Sequence, residues 1–157
     1  MEVRITRKEG KLHTIVYKRS DKTETWQASD DFFILHDLSH FAVEKILEYK
    51  TAFMGMINQG MGVKDFEDRE KRKKLDVTAE GWYAENMANL FLMEISQGEI
   101  IDFNMVSQEA FSKMELPFPA LVLTSQEINN IRTYLRQLLH QWNLLPLNES
   151  MILTIDV

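Results

Sequence analysis

Strand signals are confined to the two ends of this chain, and the stretch between them carries helical periodicity. Near the start, Val3 and Ile5 alternate with Arg4 and Thr6. Residues 12–18 (LHTIVYK) are rich in β-branched and aromatic side chains, and residues 23–27 (TETWQ) read as a third strand. Glu9-Gly10 and Ser20-Asp21 supply the turns between them. At the far end, residues 149–157 (ESMILTIDV) read as a last strand. Each strand is only partly apolar, which suits a sheet with one wet face. The last strand has an obvious place beside the N-terminal meander.

The middle reads as helices. Residues 35–59 predict one long helix, with Leu35, Val43, Ile46, Leu47, Phe53, Met54 and Ile57 on one broad face. Gly60 is placed to end it, and Gly55 is an interior weak point costing about 1 kcal/mol relative to Ala. A second helix is expected over 78–97, before Gly98. A short one is expected over 104–114, ended by Pro117 and Pro119. Thr124 and Glu127 form a capping box, in which hydroxyl and carboxylate satisfy free amides at a helix start. Behind it Ile128, Ile131, Leu135, Leu138 and Trp142 repeat at helical spacing, and Pro146 follows. The expected architecture is α+β. It is a single domain, 1–157, with a β-meander over 1–28, a helical layer over 35–145 built on about three longer helices, and a C-terminal strand over 149–157. A chain of 157 residues buries roughly 70% of its extended surface, so it needs no staple to fold.

Charge and residue usage exclude several function classes. The 18 basic and 24 acidic residues give a formal charge of −6, which argues against a general nucleic-acid binder. No apolar run approaches the roughly 18 residues needed to span a bilayer. The opening MEVRITRKEG has no apolar signal region. The absence of Cys excludes a disulfide framework, a thiolate zinc site, an iron–sulfur cluster and a cysteine nucleophile. A reducing cytoplasm is the expected compartment. Gly60-Met61-Gly62 lacks the spacing and ending of a phosphate loop, and there is no Gly-x-Ser-x-Gly elbow. The basic run 69–74 (REKRKK) is offset by acid-first pairs, Glu67 with Lys71, Asp68 with Arg72 and Glu70 with Lys74, as in a solvated helical turn.

One constellation can carry chemistry: His36-Asp37-Leu38-Ser39-His40, followed by Glu44. Two His four apart lie on one helical face with their roots about 6 Å apart, so two imidazole nitrogens can converge on one divalent metal. This is the geometry of HExxH zinc helices, with Asp37 where the Glu stands. Asp37 is then the candidate general base on a metal-bound water. The metal-ligand candidates are His36, His40 and Glu44. His36 and Glu44 are separated by about 12 Å along the axis, so they cannot share an ion, and a third ligand must come from Glu44, Glu85, Glu94 or His140. Two other readings stand beside this one. His36 can cap free amides, Asp37 can answer the helix dipole, and His40 can be a core histidine. Alternatively, the cluster lines a small-molecule pocket.

The stretch HDLSHFAVEKILEYKTAFMGMINQG resembles a helix of small uncharacterised bacterial proteins that read HDLxHFxVE after an N-terminal β-meander, followed by an aromatic–glycine stretch. The pattern falls on His36, Asp37, Leu38, His40, Phe41, Val43 and Glu44. Where proline often precedes the first His of that pattern, this chain has Leu35, and the helix start is less sharply marked. The match covers about a sixth of the chain. It implies a shared fold core and brings no activity with it.

Two classes of function follow. The first is a non-catalytic domain acting through protein contacts, including a homodimer, suggested by its nine Met residues, Met54, Met56 and Met61 among them. The second is a metal-binding protein or metal-dependent hydrolase.

Overall fold

The computed structural model describes residues 1–67 and 77–157. Its sheet has four strands, β1 (Glu2–Thr6), β2 (His13–Lys18), β3 (Glu24–Ser29) and β4 (Ser150–Thr154), in the order β3-β2-β1-β4. Every pair is antiparallel, with Ile5 opposite Ile15 and Met151, and Tyr17 opposite Val3 and Thr25. The β-meander and the edge position of the last strand are as the sequence predicts. Alternation sends Val3, Ile5, Ile15, Tyr17, Met151 and Leu153 into the core. It leaves Trp26 and Ile152 on the outer face.

Helix α1 (Asp31–Ile46) lies on the inner face of that sheet, and Asp30 caps it by accepting from the Phe33 amide. Its residues Asp37 to Glu44 are buried without interruption. A helix buried on all sides must have neighbours on all sides. Here they are β3 and the two longest helices, α4 (Ala79–Gln97) and α6 (Ser125–Leu144). The buried run includes Asp37, Ser39, His40 and Glu44, and each of these polar groups needs a partner.

The single helix expected over 35–59 is two helices. α1 begins earlier and stops at Ile46; the chain then turns through Glu48 at φ 56° and restarts as α2 (Phe53–Asn58). Hydrogen bonds from side chains explain the break. Glu44 accepts from the Met54 amide at 2.8 Å. Glu80, on α4, accepts from the Lys50 and Thr51 amides and the Thr51 hydroxyl at 2.7–2.9 Å. These carboxylates satisfy amides that a continuous helix would bond internally. Gly55 sits directly against the Lys50 carbonyl, where a Cβ would overlap it. Apolar periodicity cannot register such a break, because both halves keep their apolar face inward.

α3 (Val63–Glu67) is a single short piece that the sequence does not predict. The three longer helices that follow match their signals. Thr78 caps α4, and Gly98 follows it at φ 88°. Asp102 caps α5 (Phe103–Ser112), and the capping box of Thr124 and Glu127 opens α6. Its Ile128, Ile131, Leu135, Leu138 and Trp142 are all buried. Met54 is buried in the core, and Met56 and Met61 are half-buried. The basic run 69–74 and its three expected ion pairs involve positions outside the described residues. Among the described residues no helix is long and apolar enough to cross a membrane.

Replacing Gly by Ala inside an ordinary helix stabilises it by about 1 kcal/mol. Gly55→Ala is expected to do the reverse, lowering stability by about 2 kcal/mol through overpacking. Urea unfolding checks the sign, and a stabilised variant would refute the close approach to Lys50.

Candidate metal centre

His36 and His40 lie one turn apart on α1, and their rings meet edge to face with centroids 4.7 Å apart. Helix α4 packs along this part of α1. It presents Gly81, Ala84, Glu85 and Ala88, positions i, i+3, i+4 and i+7 of one face. Ala84 and Ala88 are fully buried, Gly81 lies against Met56 of α2, and Glu85 reaches the two imidazoles. His40 Nε2 is 3.1 Å from Glu85 Oε2, and His36 Nε2 is 4.0 Å from Glu85 Oε1. One ligand atom from each of the three residues lies within 4.8 Å of the others. The His40 side chain is 4% exposed, His36 20% and Glu85 44%, so the cluster is closed behind His40 and open toward solvent beside Glu85.

The opposite edge of each imidazole faces a carboxylate. Glu44 Oε1 is 3.3 Å from His40 Nδ1, and its other oxygen holds the Met54 amide. Asp37 Oδ1 is 3.8 Å from His36 Nδ1. Asp37 Oδ2 accepts from the Tyr17 hydroxyl at 2.9 Å and the Gln27 amide at 3.0 Å. The sheet thereby fixes Asp37, and α2 fixes Glu44. The Glu44 carboxylate on His40 Nδ1 favours, in the neutral ring, the tautomer whose Nε2 lone pair is free to bind; Asp37, at 3.8 Å, makes no such bond to His36.

The electrostatics follow from this packing. Burial lowers the affinity of His40 for its proton, but the hydrogen bonds and charges of Glu44 and Glu85 outweigh it and raise the pKa to about 10. The His40 hydrogen bond leads in holding Glu85 down to about 2, against its partial burial. Burial lifts Glu44 above the usual carboxylate range, against its bonds to His40 and to the Met54 and Phe53 amides. Without an ion, the cluster is an imidazolium held between two carboxylates. Its Nε2 proton occupies the position a cation would take.

Of the residues expected as ligands, the structure brings His36 and His40 together and supplies Glu85 as the third. Glu44 was expected among them and sits on the far edge of His40 instead, one further turn along α1, where it cannot face the Nε2 atoms. Asp37, expected as a general base, is occupied by Tyr17 and Gln27. Glu94 forms a bidentate pair with Arg132 at 2.6 and 2.9 Å, and His140 is exposed on α6. Glu85 stands among the four third-ligand candidates the sequence offers, and the small residues around it on α4 do not single it out. Tyr17 and Gln27 carried no signal, since both read only as inward positions of a sheet. The chain matches no known protein-family model, no curated protein and no solved structure.

His40 holds its proton more tightly in the folded chain than at the ordinary value of 6.5. Its contribution to stability is complete below about 6.5 and is lost as pH rises towards 10. Glu85 acts on the acid side, its contribution present above 4.5 and lost as pH falls towards 2. Metal-stripped protein is therefore expected to lose urea stability from pH 6.5 to 10, and His40→Gln is expected to flatten that loss. An equal slope in the variant would place the responsible proton elsewhere.

Proposed function

We propose that this domain binds one divalent transition-metal ion through His36, His40 and Glu85, with the remaining coordination positions open to solvent. The observation that carries this reading is the convergence of two imidazoles, one turn apart, on a carboxylate from another helix, while a tethered carboxylate lies on the far edge of each ring. Two imidazoles and a carboxylate suit Zn²⁺ or Fe²⁺, and three protein ligands are the number found where water or substrate takes a further position. Ligand atoms around such an ion lie roughly 3 to 3.5 Å apart. The His40–Glu85 distance already matches at 3.1 Å. A small turn of His36 and of the solvent-facing Glu85 closes the rest. An ion here would lower the pKa of a bound water and so support hydrolytic chemistry. Asp37 then acts as the group that orients His36, and Glu44 does the same for His40.

Metal-stripped protein loaded with zinc or iron and desalted is expected to retain one equivalent. At a hundredfold excess over Kd, binding stabilises the native state by about 2.7 kcal/mol, visible as a raised melting temperature. His36→Ala, His40→Ala and Glu85→Ala are each expected to abolish retention. Asp37→Asn should keep the ion but weaken binding by about 10- to 100-fold, as outer-shell partners do. Wild-type protein that neither retains metal nor gains thermal stability would defeat the proposal.

A further inference from the structure

The two edge strands of the sheet differ in how they are protected. β3 carries Glu24 and packs beside α3. β4 reads Ser150-Met151-Ile152-Leu153-Thr154 and has neither the charge nor the proline that keeps an edge strand from pairing. Its one extensive neighbour among the described residues is β1. An antiparallel ladder alternates bonded and non-bonded pairs. The Ile155 amide donates to the Met1 carbonyl, and the Arg7 amide donates to the Glu149 carbonyl, so the odd positions of β4 bond to β1. The N–H and C=O groups of Ser150, Ile152 and Thr154 therefore point away from the sheet. Among the described residues one bond reaches these groups, from Lys45 Nζ to the Thr154 carbonyl at 2.6 Å, and that oxygen keeps a second lone pair. The Ile152 residue is 56% exposed.

We infer that β4 pairs with the β4 strand of a second copy of this chain, antiparallel, about a two-fold axis at Ile152. The alternation makes this edge self-complementary. Ile152 exchanges both of its backbone bonds with its counterpart, and Ser150 of each copy exchanges both with Thr154 of the other. The two four-stranded sheets become one. Charge obeys the same symmetry. Glu149 is exposed and lies, by alternation, on the helix side of the sheet with Met151 and Leu153. Lys45 is exposed and reaches Thr154 from α1 on that same side. Setting Thr154 of one copy against Ser150 of the other brings Lys45 of each beside Glu149 of the other. On the outer face each Ile152 side chain is covered by its counterpart.

One strand pair is a small interface, so a dimer Kd on the order of 10 to 100 μM is expected, read by sedimentation velocity over a concentration series. Ile152→Lys places a charge on the edge, and Ile152→Pro removes an N–H that the ladder to β1 does not use. Each is expected to weaken association at least about tenfold while the melting temperature stays close to that of wild type. The chain has no Cys, so register can be read directly. Counterpart Cα atoms at a bonded pair lie about 5.5 Å apart, within disulfide reach. Ile152→Cys is therefore expected to cross-link on mild oxidation, and Trp26→Cys, exposed on β3 of the same face, is expected not to. Wild-type protein that stays monomeric to about 1 mM overturns the inference. An Ile152→Lys variant that dimerises as tightly as wild type overturns it too, as does cross-linking of Trp26→Cys as fast as that of Ile152→Cys.

Discussion

Glu44 is a carboxylate with no exposed surface, and much of the molecule is organised around satisfying it. Moving such a charge out of water costs on the order of several kcal/mol unless donors surround it. One of its oxygens faces the His40 imidazolium and the other takes the Met54 amide. The first contact gives His40 its charge and its orientation. The second ties down the first turn of α2, taking an amide that an unbroken helix would bond to the Lys50 carbonyl. A single buried anion thus joins the restart of the chain at α2 to the charge beside it. Removing one member of such a set leaves the others buried without a partner, which is why these residues act as a unit.

The fold was largely legible because its signals are local. Alternation at Val3 and Ile5, the capping box at Thr124, and the apolar spacing from Ile128 to Trp142 each depend on residues a few positions apart. The break after Ile46 was not legible, because its causes, Glu44 to Met54 and Glu80 to Thr51, join residues 10 and 29 positions apart. The same division holds at the site. The pairing of His36 with His40 is a property of helical pitch and can be read from five consecutive residues. The arrival of Glu85 depends on how α4 packs along α1, which the small buried side chains at 84 and 88 permit but do not announce. Periodicity also ran past the end of α1, since α1 and α2 both bury apolar residues and the pattern continues across the turn between them.

The cluster combines two features that pull against one another. Burial makes each charge costly, and mutual pairing among His40, Glu44 and Glu85 offsets that cost. The partial exposure of His36 and Glu85 leaves one side of the arrangement able to exchange with solvent. Rigid support behind and access in front are what a preorganised ligand set needs. The support comes from elements far apart in sequence, the sheet through Asp37 and α2 through Glu44.

The bonds from Tyr17 and Gln27 to Asp37 make strand pairing answerable to the helix. Side chains alternate across a sheet, so shifting β3 by one position would swing Gln27 to the outer surface and bring Trp26 or Ala28 inward. Asp37 would lose a donor and be left short of a partner in the core. The ladder of the first thirty residues is in this sense an alignment gauge for the helix it supports: a mispaired meander can still be a sheet, but it cannot satisfy the carboxylate that α1 buries against it.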